Sequence, residues 1–313
     1  MLFRSNDMIK DVKYIIFDEV HYINDLDRGH VWEETIIMIP NHIQIIMLSA
    51  TINNPDKLGN WVALKGNQVD MMGTKLRPVP LVHNIFYKDD FIPIMNNSYK
   101  IDTEKYTEVE AYYRKYFQKY VKPNGRINDL IKILKERELF PCIFFSYSRK
   151  KCEDYAKMIS TSLVDHDEIS QINNILNKYL TGIFKNYDKL IQTQNLKKLL
   201  LKGIGYHHSG LVHPLKEIQE ILFSKGLIKI LFATETFAVG VNMPTRTVIF
   251  TELSKYDGNL NGFRNLNTAE YLQMAGRAGR RGKDKEGVVI YLPLKQIPSC
   301  SEIKRIFTGN SVN

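Results

Sequence analysis

Apolar and polar positions alternate in blocks along the first part of the chain. Tyr14–Phe17 is an apolar run that ends at Asp18-Glu19, and Gln44–Leu48 is a second run that ends at Ser49-Ala50-Thr51. Trp32–Ile39 and Asp56–Leu64 are spaced as helices. Asn54-Pro55 gives the second of them a start in which proline occupies the first turn, where its missing N–H is harmless. Strands alternating with helices predict a parallel sheet covered on both faces. Ligands of such sheets bind at the carboxyl ends of the strands, which is where Asp18 and Ser49 fall.

The pattern changes at residue 88. The stretch KDDFIPIMNNSYKIDTEKYTEVEAYYRKYFQKYVKPNG is polar, rich in tyrosine and punctuated by Pro93, Pro123 and Gly125. It reads as a linker over 88–125, helical in part between Glu104 and Tyr120, with tyrosines that either stack on bases or pack against a domain. A second α/β unit follows over 126–313. Ile127, Leu130, Ile131 and Leu134 keep the i, i+3, i+4, i+7 rule of an amphipathic helix. Strands are expected at Cys142–Phe145, Ile204–His207, Ile228–Ala233, Thr247–Phe250 and Val288–Leu292. Helices are expected at Pro214–Leu222 and Thr268–Ala275, and an inserted helical pair at 163–202. The fold class is therefore α/β, with a first parallel-sheet lobe over 1–87 and a second over 126–313.

Charge adds a partner class. With 43 basic and 34 acidic residues the chain carries +9, a balance that suits a polyanion such as nucleic acid. Three cysteines, far apart and without a Cys-x-x-Cys spacing, point to a reducing, intracellular setting. No apolar run approaches the ~20 residues that cross a bilayer, so no membrane partner is expected.

Four stretches carry candidate chemistry. A carboxylate that closes an apolar strand, as Asp18 does, suits Mg²⁺ in phosphoryl transfer, and the adjacent Glu19 suits a base for water. Neighbouring strand residues face opposite ways, so the two carboxylates fit separate roles. Ser49 and Thr51 offer hydroxyls at the next strand end. In YLQMAGRAGRRG (Tyr271–Gly282), Asn267 and Glu270 form a capping-box pattern for a helix start. Arg277 and Arg280 are three apart, which on a helical turn aims both guanidiniums to one side, an arrangement that suits a triphosphate or a basic patch on nucleic-acid phosphates or solvent. In LFATETFAVG, Thr234 closes a strand where a nucleic-acid phosphate can be held, and Gly240 precedes another strand.

Taken in order, these stretches closely resemble the DExH-box RNA helicases of superfamily 2, in particular the superkiller type that feeds RNA to the exosome. Asp18-Glu19-Val20-His21 resembles motif II, GHVWEETI the stretch that marks this branch, and Ser49-Ala50-Thr51 motif III. FFSYSRKKCEDYA resembles motif IV, the run from His207 to Phe250 motif V with its approach, and QMAGRAGRRG motif VI. The resemblance implies two RecA-like lobes, ATP and Mg²⁺ as cofactors and RNA as partner. It implies that Asp18 holds Mg²⁺ and that Glu19 is the catalytic carboxylate. His21, Ser49 and Thr51 would couple nucleotide to RNA. Gln273, Arg277 and Arg280 would reach the γ-phosphate, Gly240 would line the nucleotide cleft, and Thr234 would lie on the RNA side. The same pattern explains His207, His208 and His213 without a metal.

One family element is missing from these 313 residues. No Gly-x-x-x-x-Gly-Lys-Ser/Thr loop occurs: Gly282-Lys283 is followed by Asp284, and GTKL at Gly73–Leu76 has its letters in the wrong order. The expectation is a first lobe incomplete at its amino terminus, with strand Gln44–Leu48 presenting an apolar edge. A second polypeptide would supply the phosphate loop. The alternatives are an RNA-binding remnant without catalysis, and a DNA helicase of the same broad family.

Overall fold

A computed structural model of the chain describes residues 7–20, 23, 29–49, 55–66, 68–74, 76–95, 100–118, 123–182, 185–240 and 243–309. The chain divides into two compact units, residues 1–77 and 78–313.

The first unit runs α1 (Asp7–Lys10), β1 (Tyr14–Phe17), α2 (Gly29–Met38), β2 (Gln44–Met47) and α3 (Pro55–Ala63). Both expected strands form, and α3 starts at the expected proline. The strands pair in parallel with Phe17 opposite Met47. Period-2 alternation turns Ile15 and Phe17 of β1, and Ile45 and Met47 of β2, towards a small core with Val20, Trp32, Ile36, Ile39 and Ile43. The other face leaves Tyr14, Ile16, Ile46 and Leu48 exposed. Lys65 closes α2: its Nζ donates to the carbonyls of Ile36, Ile37 and Ile39 at 2.6, 3.1 and 2.7 Å. Carbonyls at a helix end lack the following turn's N–H groups, and Lys65 supplies donors in their place, beside the 3.4 Å bond from Ile39 N to Ile36 O.

The second unit begins with β3 (Leu81–Tyr87), β4 (Asp90–Met95), α4 (Thr103–Tyr116), α5 (Pro123–Glu136), β5 (Cys142–Phe145), α6 (Arg149–Lys157), α7 (His166–Thr181) and α8 (Ile191–Leu200). It continues with β6 (Ile204–His207), α9 (His213–Ser224), β7 (Ile230–Ala233), α10 (Glu235–Gly240), β8 (Thr247–Phe250), β9 (Ser254–Asp257), β10 (Gly262–Asn265), α11 (Thr268–Ala275), β11 (Gly287–Tyr291) and α12 (Cys300–Thr308). Among the described residues its main sheet has seven strands in the order β4-β3-β11-β8-β5-β7-β6. All neighbours are parallel except β3 and β4. Every residue of β5, β6, β7, β8 and β11 is buried, which is why these strands are mostly apolar, with His207 of β6 and Thr247 of β8 as buried polar exceptions. α7 and α8 are the two helices expected within 163–202. β9 and β10 form a separate antiparallel hairpin.

The expected domain boundaries need correction. β3 falls within the expected first lobe over 1–87 but pairs with β11, Val82 opposite Val288, and Asn84 Nδ2 donates to Val289 O at 3.1 Å. The expected linker over 88–125 contains β4 and α4. Asp102 caps α4 by accepting from Lys105 N, and Tyr106, Val109 and Tyr113, spaced i, i+3, i+7, form its fully buried face. Those two tyrosines are core residues and present no free ring to a base. Arg126 of α5 is buried among them. Its guanidinium carbon lies 5.0, 4.8 and 5.0 Å from the ring centroids of Phe86, Tyr113 and Tyr116, and it donates to the Tyr113 hydroxyl. A polar surface composition concealed a packed aromatic face. Among the described residues, no helix is long and apolar enough to cross a membrane.

Candidate nucleotide and nucleic-acid sites

In the first unit, parallel pairing brings two strand ends together. Leu48 N donates to Phe17 O at 2.8 Å and Val20 N to Leu48 O at 2.9 Å. Asp18 and Glu19 therefore run beside Leu48 and Ser49 at the carboxyl edge of the sheet. Glu19 has a left-handed backbone, φ +53°, uncommon for a residue with a side chain. The turn is closed by Glu19 N donating to Asp18 Oδ1 at 2.9 Å. One Asp18 oxygen is thus engaged with the backbone, and a carboxylate still has lone pairs for a hard cation. His21 and Thr51 lie outside the described residues.

In the second unit, α11 starts with the expected capping box, Asn267 accepting from Glu270 N and Glu270 accepting from Asn267 N. The helix ends at Ala275, so Arg277 and Arg280 do not share a helical turn as expected. Gly279, at φ +86°, turns the chain between them, and their guanidiniums take different partners. Arg277 donates to the carbonyl of Ala238 in α10, two residues before Gly240. Arg280 forms a fork with Asp284, Nε to Oδ2 and Nη2 to Oδ1, each 2.8 Å. The turn is fastened to the lead-in of β8: Thr245 N donates to Arg277 O and Gly279 N to Thr245 O, both at 2.8 Å. A Cβ on Gly287 would sit 2.6 Å from the Ala278 carbonyl oxygen, so the turn and β11 are in backbone contact. Gln273, one turn before, has its amide Nε2 buried without a hydrogen-bond partner among the described residues. A buried unsatisfied donor is costly, and a phosphate oxygen is an acceptor that fits it.

The carboxyl ends of β5, β6 and β7 meet around a cavity of about 170 Å³ lined by Tyr147, Arg149, Ser209, Thr234, Glu235, Thr236, Lys255 and Tyr256. Thr234 N donates to His207 O at 3.2 Å, and its hydroxyl lies 2.9 Å from that of Thr236. Lys255 of the hairpin bridges Glu235 and Glu270, 2.8 Å to each. Arg264 donates to Glu270 at 2.7 and 2.9 Å and to Asp257 at 2.7 Å. Burial works to raise the Glu270 carboxyl, but the hydrogen bonds from Arg264 and Lys255 win and hold it at about 2.

The neighbouring histidines each face a carboxylate. His207 Nε2 is 3.0 Å from Glu220 and His208 Nε2 3.2 Å from Glu153. Burial lowers both pKa values against the pull of those carboxylates. Among the described residues, no group of three or more His, Cys, Asp and Glu side chains is placed to hold a metal.

Sequence reasoning missed Asp284, Lys255 and Glu235 as partners of the site. The spacing Arg280–Asp284, four apart with opposite charge, was a signal for the first. No local pattern signals the other two, because they meet across elements.

The chain's residues 1–58 match the family model of the DEAD/DEAH box helicases, and residues 167–282 match that of the helicase conserved C-terminal domain. Antiviral helicase SKI2 of Saccharomyces cerevisiae is 37% identical over 371 aligned positions, covering 99% of this chain and 29% of that protein. Superkiller complex protein 2 of Homo sapiens is 39% identical over 332, covering 99% and 26%. Exosome RNA helicase MTR4 of Mus musculus is 40% identical over 306, covering 93% and 29%. The chain thus spans between a quarter and a third of the length of these relatives.

Proposed function

We propose that this chain, which belongs to the superfamily 2 DExH-box RNA helicases of the superkiller and exosome-associated type, contributes to ATP hydrolysis coupled to unwinding of, or movement along, RNA. The observation that carries the reading is the parallel pairing of β1 and β2, which sets Asp18, Glu19 and Ser49 at one sheet edge. Bound Mg²⁺ and ATP would supply the phosphoryl group and the charge neutralisation it needs. This chain's residues do the remainder. Asp18 is the residue that would hold Mg²⁺. Glu19 orients the attacking water and takes its proton. Ser49, with His21 and Thr51, links this edge to the RNA-binding face. From the second unit, the Gln273 amide and the guanidiniums of Arg277 and Arg280 bind and orient γ-phosphate oxygens. Arg277 ties that group to α10, which ends at Gly240. Thr234 and Arg149, in the cavity above β5 and β7, hold an RNA backbone phosphate.

The outward face of β1 and β2 exposes Tyr14, Ile16, Ile46 and Leu48, a kind of surface that parallel sheets ordinarily cover. The test mixes the purified chain with Mg·ATP and RNA, alone and together with a polypeptide that carries a Gly-x-x-x-x-Gly-Lys-Ser/Thr loop. An RNA-stimulated rate in either mixture that disappears in Glu19→Gln supports the catalytic reading. A rate indifferent to Glu19→Gln, or none in either mixture, would falsify it. RNA binding by the chain is expected to weaken steeply with salt, as phosphate contacts require, and a salt-independent affinity counts against it.

A further inference from the structure

Between Arg280 and Asp284 the arginine turn carries three cationic side chains, Arg280, Arg281 and Lys283, and one carboxylate selects among them. Arg281 and Lys283 are exposed. Arg280 is gripped by Asp284, whose side chain is only 3% exposed. Asp284 accepts from Arg280 Nε, Arg280 Nη2 and the Arg280 backbone N–H, all at 2.8 Å, and Asp284 N donates back to Arg280 O at 2.9 Å. Exposed i, i+4 pairs are loose and contribute little. This one is a planar, two-bond fork on a buried acid, and such a fork fixes the plane of the guanidinium.

We propose that Asp284 is the positioning residue of Arg280. It takes the Nε edge and one Nη2 hydrogen, and presents the remaining donors to an anion in a fixed direction. A guanidinium has five N–H donors. The fork uses two, so three remain and the arginine is oriented rather than consumed. The backbone beneath is equally constrained, by the Thr245 bonds to Arg277 and Gly279 and by the close crossing of Gly279 and Gly287. Orientation of this kind lowers the cost of ordering a flexible side chain when a ligand arrives. The proposal rests on the reading of Arg280 as a γ-phosphate ligand for its consequence, but not for its geometry.

The test therefore has two arms on the 313-residue chain. The first is ¹⁵N–¹H NMR of arginine side chains, with the Arg280 Nε–H signal assigned by its loss in Arg280→Lys. In the wild type that signal is expected to be sharp and protected from water exchange. Asp284→Asn, which is isosteric and can still accept from the Arg280 backbone N–H, is expected to move it to the position of exposed arginines and speed its exchange at least tenfold. Asp284→Glu is expected to recover part of the protection. An unchanged shift and exchange rate in Asp284→Asn overturns the proposal, whatever nucleotides do. Dispersion of the backbone amide spectrum separates this from loss of the fold, and if Asp284→Asn unfolds, the comparison is between wild type and Asp284→Glu, whose protection is expected to fall below the wild type's; equal protection overturns the proposal.

The second arm measures the affinities of fluorescent ATP and ADP analogues with Mg²⁺ in the presence of the loop-bearing polypeptide. If Arg280 meets the γ-phosphate, Arg280→Ala lowers the ATP-over-ADP preference about tenfold. Asp284→Asn then lowers it similarly, and the double variant is no worse than Arg280→Ala. A preference that rises in Asp284→Asn means the acid competes with phosphate, and overturns positioning. A preference unaffected by Arg280→Ala refutes the γ-phosphate reading alone.

Discussion

Lys255 Nζ lies 2.8 Å from Glu270 Oε1, so the hairpin of β9 and β10 is fastened to the helix that leads into the arginine turn. Arg264, from the second strand of the hairpin, closes on the same carboxylate at 2.7 Å. Glu270 also caps its own helix through Asn267 N at 2.9 Å. One acidic side chain thus joins a cavity-lining lysine, a hairpin and a helix start.

Removing that carboxylate leaves Lys255 with Glu235 and Arg264 with Asp257 as their remaining acidic partners. Glu270→Gln is expected to destabilise the second unit by roughly 2–3 kcal/mol, because hydrogen bonds to charged groups exceed neutral ones. The pH dependence has a definite direction. The folded carboxyl sits at about 2 against an ordinary 4.5, so its stabilisation is complete above pH 4.5 and is lost as pH falls towards 2. Urea unfolding followed by near-ultraviolet circular dichroism between pH 6 and 3 should show a stability slope that flattens in Glu270→Gln. An equal slope in both proteins would assign the acid sensitivity elsewhere.

Gly279 and Gly282 separate space from backbone conformation. Both have positive φ, +86° and +77°. A Cβ on Gly279 would meet Val79 Cγ1 at 2.5 Å and Gly287 Cα at 3.0 Å, whereas nothing among the described residues lies within 4 Å of one on Gly282. Gly282→Ala should cost about 1 kcal/mol, the left-handed penalty alone. Gly279→Ala should cost roughly 2–4 kcal/mol by adding overpacking. Thermal unfolding of the two variants measures the difference, and equal losses would show that the turn relaxes freely.

Arg126 is buried against three aromatic rings, and its planar guanidinium spreads over them as an ammonium cannot. Arg126→Lys is expected to lower stability by roughly 2–3 kcal/mol despite keeping the charge. Its chemical denaturation midpoint, compared with that of Arg126→Met, distinguishes ring stacking from filled volume: stacking requires lysine to be no better than methionine.

The chain's two tryptophans, Trp32 and Trp61, both lie in the first unit, so their fluorescence reports on that unit. Lys65→Met removes the cation from three carbonyls at the end of α2. The expected loss is about 1–2 kcal/mol, seen as an earlier tryptophan transition in urea with the near-ultraviolet signal of the buried tyrosines unmoved. A simultaneous shift of both signals would contradict a local role.

The sequence by itself determined the strand-and-helix alternation, the parallel sheets and the family, because strands buried on both faces are mostly apolar and the motif residues are contiguous. It also determined the capping box at Asn267 and Glu270, which needs only residues three apart. Only the tertiary structure decided where the second unit begins. β3 and α4 are claimed by contacts with β11 and α5, more than a hundred residues away for the first, and a half-buried tyrosine helix looks polar when read in line. Tertiary structure likewise decided the partners of the arginines. Arg277 and Arg280 are equivalent by spacing, but the end of α11 and the positive φ of Gly279 send one to the Ala238 carbonyl and the other to Asp284, since backbone direction, not residue type, sets where a guanidinium points.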